Sequence, residues 1–196
     1  MRSKTIEQLK RRKDFRSTRV RFLIVCEGAK TEPKYFKRFR VPRDVIDVIG
    51  VGANTVSLVE KAIELKSKNS YEQVWCVFDR DSFPVQNFNN ALALAGRNKI
   101  KVAYSNEALE LWYILHFNYH DGATSRDQYK QILSQRLGFE YEKNDPHMYD
   151  FLFSKQGDAI RNATNLLNSY VNHTPASDNP STTVHILVQE LNKHTI

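Results

Sequence analysis

Two short apolar runs in this chain each end in acid. Phe22–Cys26 leads into Glu27 and Gly28, and Val74–Phe78 leads into Asp79, Arg80 and Asp81. Runs this short, rich in β-branched and aromatic residues and lacking polar alternation, read as strands buried on both faces. That pattern belongs to a parallel sheet covered by helices. Such sheets bind ligands beyond the carboxyl ends of their strands, so the two acidic ends are expected to meet at one mouth. Carboxylates gathered there raise one another's pKa unless a cation lies among them. Hard oxygen ligands at that density suit Mg2+ or Mn2+. Glu27, Asp79 and Asp81 are therefore candidate metal ligands. The plainer alternative is a polar turn at residues 79–81, with Glu27 capping a helix; a second acid at a second strand end favours the metal.

The rest of the first half alternates strand and helix. Thr31, followed by Glu32 and Pro33, predicts a helix start, with Tyr35, Phe36 and Phe39 on one face. A strand over 46–51 follows, then a helix capped by Asn54 and striped by Val56, Val59 and Ile63. After the strand at 73–78, a helix around Phe88, Leu92 and Ala95 ends at Gly96, and a fourth strand covers 99–104. The second half shows no strand pattern. Asn106 is placed to cap a helix over 107–117 and Ser125 one over 126–137. Asp145 and Pro146 open another, and segments 155–170 and 182–191 complete the helical tail. The expected fold is α/β, a mainly parallel sheet flanked by helices, with a C-terminal helical region from about residue 106. Residues 20–196 read as one domain behind a basic, flexible segment over 1–19.

Charge narrows the partners. The chain has 196 residues and carries 29 Lys and Arg against 22 acids, a formal net charge of +7, which favours a polyanion. Lys10, Arg11, Arg12 and Lys13 can neutralise phosphates as a tail, or form only a solvated leader. Lys30, Lys34, Arg38 and Arg80 flank the acidic mouth and are candidate nucleic-acid contacts. Cys26 and Cys76 both fall in strands and read as core thiols. No secretory leader or membrane-spanning run is evident, so a cytoplasmic protein without membrane association is expected. Oligomeric state stays open, a homo-oligomer included.

An acid-Gly pair after the first strand and Asp-x-Asp after the third resemble the Toprim fold of topoisomerases, primases and related nucleases. Longer motifs narrow the resemblance. They are residues 25–36 around Glu27, residues 78–82, Ser105 and Asn106 with Glu110–Trp112 and His116–Phe117, and residues 179–182 with Val184 and His185. Together they resemble RloB-family proteins, which are associated with phage-defence and restriction loci. The resemblance implies a Toprim-type, metal-dependent nuclease cutting DNA or RNA, tRNA included, with Mg2+ or Mn2+ as cofactor. It also implies a neighbouring ATPase as partner, since the chain has no phosphate-binding loop of its own. Carried over by position, Glu27 would be the general acid or base, and Asp79 and Asp81 the metal pair. Ser82, Phe83 and Pro84 stand where many Toprim proteins have a nearby Gly.

Glu32 would add a ligand for a second metal, as in the overcoming-lysogenisation-defect nucleases, or is simply a first-turn acid. Glu110, in the helix past the fourth strand, can lean into the site as a catalytic group. His116 reads as a structural histidine before a proton shuttle, and Lys155 could contact a leaving phosphate. Two other classes are carried. One is a non-hydrolytic metal- or nucleic-acid-binding regulator of a defence ATPase. The other is a phosphatase with an Asp nucleophile, disfavoured because Glu27 already occupies the first strand end.

Overall fold

A computed structural model describes residues 20–42, 46–52, 54–80 and 84–195. The basic run Lys10–Lys13 and Asp81 lie outside the described residues. The elements run β1 (Phe22–Cys26), α1 (Thr31–Phe36), β2 (Ile46–Gly50), α2 (Thr55–Lys68), β3 (Gln73–Asp79), α3 (Val85–Arg97) and β4 (Lys101–Asn106). Then follow α4 (Glu110–Ile114), α5 (Arg126–Leu137), α6 (Met148–Leu152), α7 (Gln156–Asn168), β5 (Ser181–Thr182) and α8 (Val184–Asn192).

The five strands lie in the order β2-β1-β3-β4-β5. All neighbours are parallel except β4 and β5. The molecule is thus a mixed α/β protein with a mostly parallel sheet, consistent with a Toprim-like arrangement. Both sheet faces are apolar because both are covered. Phe22, Ile24, Cys26, Trp75, Val77 and Ala103 pack with residues of α1 and of the helices after β4. Leu23, Val25, Val74, Cys76, Phe78 and Tyr104 pack with α2 and α3. The alternation of these two sets along each strand is the pleat at work. Cys26 and Cys76 are free and buried, as core thiols should be.

The chain path fixes where a ligand can sit. From β1 it moves one way to β2 through α1, packed on one face. From β2 it crosses past β1 to β3 through α2, and on to β4 through α3, both on the other face. Reversing direction while changing faces is what a uniform crossover hand requires. It makes the gap between the ends of β1 and β3 the topological switch point, where open α/β sheets bind ligands.

Four local expectations differ. A two-residue strand, β5, arises from the 179–182 motif and runs antiparallel on β4; its pattern was too short to read. Thr31 does not cap α1: the residue before it does, without a side-chain bond, and the Thr31 hydroxyl donates to Asn144 Oδ1 at 2.7 Å. Asn106 ends β4 and its amide donates to the Asp178 carbonyl at 2.8 Å instead of capping a helix. The next helix accordingly begins only at Glu110. Asn54 and Ser125 behave as expected: Asn54 accepts from the Ser57 amide at 3.0 Å, and Ser125 shares a capping box with Gln128. No helix among the described residues is long and apolar enough to cross a membrane.

Candidate functional site

Register brings the two acidic strand ends together. Cys26 pairs with Val77, and the Glu27 amide continues the ladder to the Val77 carbonyl at 2.9 Å. The Glu27 side chain then reaches across β3, where its Oε2 accepts the Asp79 amide at 3.2 Å. Its Oε1 takes the Thr55 hydroxyl at 3.4 Å, from the first residue of α2. On the other side the Gly52 amide donates to the Glu27 carbonyl at 2.8 Å. The ends of β1 and β3 therefore lie side by side at the switch point.

Gly28 has a steric reason to follow Glu27. A Cβ built there would stand 2.0 Å from Glu32 Oε2. Its φ is not in the left-handed region, so close approach of the Glu32 carboxylate, and not a positive φ, calls for glycine. Glu32 itself is 7 % exposed, and its Oε2 is buried without a hydrogen-bond donor. Burial pushes the Glu32 carboxyl above its ordinary pKa. Glu110 adds to the shift, while Lys143 and Arg126 oppose it.

Asp79 is the centre of the group. Its side chain is 12 % exposed and pairs with Arg126 Nη2 at 3.1 Å. Its carboxyl is nonetheless held well above the ordinary range, first by burial, then by Glu32 and Glu110, with Arg126 opposing and Glu27 adding. Glu110 is buried at the start of α4 and accepts the Tyr141 hydroxyl at 3.0 Å. Four acids from three chain segments, residues 27–32, β3 and α4, thus crowd together, a surplus of carboxyl groups over the opposing Arg126 and Lys143. Such a surplus attracts a cation. Among the described residues, no three His, Cys, Asp or Glu side chains stand ready as a ligand shell.

Beside the acids opens a cavity of about 460 Å³, lined by Glu110, Arg126, Asp127, Lys130, Tyr141, Glu142 and Lys143. Sequence reasoning named only Glu110 of these. Arg126, Tyr141 and Lys143 reach the site through packing of the second half onto the sheet, and neither motif nor spacing signals it.

The predicted basic residues are scattered. Lys30 is exposed at the start of α1. Lys34 Nζ donates to the Asn144 carbonyl at 2.7 Å, tying the 141–147 loop over α1. Arg38 lies past the end of α1, paired with Asp150. Arg80 turns to the α3 face, where its Nε donates to the Ala176 carbonyl at 3.1 Å and its guanidinium lies over Phe88. His116 is buried, with Nδ1 2.9 Å from the Trp112 carbonyl. Burial pulls its pKa down to about 4, so the ring is neutral near pH 7, as a structural histidine is. Lys155 Nζ sits 4.2 Å from the centre of the Phe117 ring.

No curated protein matches this chain. A model of the RloB-like protein family matches residues 22–191, a span that includes the acid cluster and the cavity beside it. The chain belongs to the RloB-like family.

Proposed function

We propose that this protein is a metal-dependent nuclease of an antiphage defence system, hydrolysing phosphodiester bonds in DNA or RNA, tRNA included. One observation carries the proposal: Glu27, Glu32, Asp79 and Glu110 gather at the switch point, two of them buried, and their crowding and burial hold the Asp79 and Glu32 carboxyls above the ordinary range. The donor set fits a hard cation, since it is all carboxylate oxygen and one of those oxygens, Glu32 Oε2, is buried with no donor. Asp79, Asp81 and Glu32 would hold Mg2+ or Mn2+, with Glu27 as ligand or proton carrier. The bound ion would supply charge stabilisation at a phosphoryl oxygen.

The protein's own groups do the remainder. Glu27, oriented by the Asp79 amide and Thr55, takes or returns the proton of the attacking water. Tyr141 holds the Glu110 carboxylate in place. Lys130 and Lys143 on the cavity wall offer positive charge to the strand being cut. An ATPase encoded nearby would be the partner that controls access.

A second reading, a non-hydrolytic regulator of such an ATPase, is favoured by the Arg126 ion pair, which already places a cation on Asp79. One experiment separates the two. Purified protein, with and without the neighbouring ATPase, is incubated with DNA and total RNA in Mg2+ or Mn2+, alongside Asp79→Asn and Glu27→Gln. The nuclease reading expects cleavage by the wild type, none by Asp79→Asn, and at least as severe a loss in Glu27→Gln with part of the metal affinity kept. Metal binding without turnover under every condition would favour the regulator. Wild-type cleavage rates in Asp79→Asn would end the nuclease proposal.

A further inference from the structure

We infer that Arg126 is an exchangeable counter-charge: it pairs with Asp79 while the acids hold no cation, and on cation binding it turns into the adjoining cavity, where with Lys130 and Lys143 it takes a phosphate group of the nucleic-acid strand. The inference rests on the metal site proposed above and adds the residue that couples it to substrate.

The geometry suits an exchange. Arg126 reaches Asp79 from the rim, with its side chain 40 % exposed against 12 % for Asp79. It also makes a long contact to the Glu107 carbonyl, at 3.5 Å. A side chain at the rim can turn away without unpacking the core. A divalent cation among the same carboxylates would repel it, and like charges at contact distance do not share a site.

The cavity offers the guanidinium a destination. Arg126 and Lys130 are four residues apart on α5, hence neighbours on one helix face. Lys143 comes from the loop before α6 and faces them across the cavity lining. Lys130 is engaged only with Glu140, at 3.0 Å between two exposed side chains, a pair of little worth. With Arg126 held by Asp79, the cavity lining sets Lys130 and Lys143 against Glu110, Asp127 and Glu142. A freed Arg126 adds a third cation beside the two lysines and removes that net repulsion of phosphate. Anion affinity is then conditional on a metal being present. By linkage, phosphate binding strengthens metal binding by the same factor.

The test uses the full chain as wild type, Arg126→Ala, Arg126→Lys and Lys130→Ala/Lys143→Ala. Mn2+ is titrated by calorimetry. A short fluorescein-labelled phosphorothioate oligonucleotide is followed by anisotropy in EDTA and in Mn2+. Loss of the competing guanidinium should tighten Mn2+ binding about fivefold in Arg126→Ala, the effect of removing one exposed-to-buried ion pair. Arg126→Lys, which keeps the charge, should lie between, and stands in should the alanine variant not fold. Wild type should bind the oligonucleotide roughly fivefold to tenfold tighter in Mn2+ than in EDTA, an enhancement of ordinary coupling size, and Arg126→Ala should lose it. The double lysine variant should weaken oligonucleotide binding while leaving Mn2+ affinity alone. Equal Mn2+ affinity in wild type and Arg126→Ala overturns the exchange while the metal reading stands. An Mn2+ enhancement retained by Arg126→Ala overturns the phosphate role. No Mn2+ binding by wild type removes the metal reading and this inference together.

Discussion

Replacing Gly28 by alanine probes the acid cluster through packing instead of charge. The added Cβ would lie 2.0 Å from Glu32 Oε2, 2.8 Å from its carboxyl carbon and 3.0 Å from Oε1. Ordinary contact begins at 3.4 Å, so the oxygen has to retreat by about 1.4 Å. Glu32 is buried, so that retreat forces an off-rotamer side chain or a shift of α1. Overpacking of this kind costs about 1–3 kcal/mol. In a chain of this length each kcal/mol lowers Tm by roughly 2–4 °C, so a fall of about 2–12 °C is expected. The measurement is a melt in EDTA near neutral pH, run as a cycle with Glu32→Ala. Once the carboxylate is gone the Cβ has room, and Gly28 needs no positive φ. Gly28→Ala should then be neutral or stabilising by a few tenths of a kcal/mol, through the lower entropy of the unfolded chain. The coupling between the two changes should be about 1 kcal/mol or more. Purely additive effects would show that the Glu32 carboxylate does not rest on Gly28, and Glu32 would leave the cluster.

The cluster should also be legible in the pH dependence of metal-free stability. Asp79 and Glu32 titrate above the ordinary carboxylate range when folded. Between that range and their folded values the native state binds more protons than the unfolded one, so their contribution falls as pH rises. The stability gained by Asp79→Asn or Glu32→Gln, measured by urea melts in EDTA, should therefore be larger near pH 7.5 than near pH 5, both above the ordinary carboxylate values; a gain equal at both would refute it. Tyr141→Phe leaves the buried Glu110 carboxylate without its hydroxyl donor and should lower stability by about 1.5–3 kcal/mol; a loss under about 0.5 kcal/mol, the scale of a surface change, would show that the hydroxyl is not needed there.

Periodicity and strand ends made the sheet readable. Residues 22–26 and 74–78 had to be buried strands because nothing polar interrupts them, and parallel strands bring their carboxyl ends to one edge. The pairing of Glu27 with Asp79 follows from that alone. Glu110 was accessible as an acid in the helix that begins just past β4. What stayed hidden depends on long-range packing. Arg126 stands 47 positions from Asp79, on a helix whose apolar pattern is weak, and Tyr141 meets Glu110 through a loop without a motif. β5 is two residues long, too short for any period to register. The basic residues near Glu27 in sequence were equally uninformative, because Lys34 and Arg38 are engaged with Asn144 and Asp150 while the cavity takes its cations from α5 and the following loop.

The way the sheet is covered bears on the order of synthesis. Chains leave the ribosome amino end first, and β1 through β4 with α2 and α3 emerge as a sheet closed on one face and covered on the other by α1 alone. Phe22, Ile24, Trp75 and Val77 wait for Trp112, Leu133, Leu166 and Leu187 to arrive. The outer edge of β4 waits for residues 181–182. Tyr141 and Arg126 are likewise translated well after Glu27 and Asp79. The acid cluster is therefore completed late, when nearly the whole chain is made. A translation product cut short after β4 would expose a mostly bare apolar face, a substrate for chaperones and proteases and not a working half.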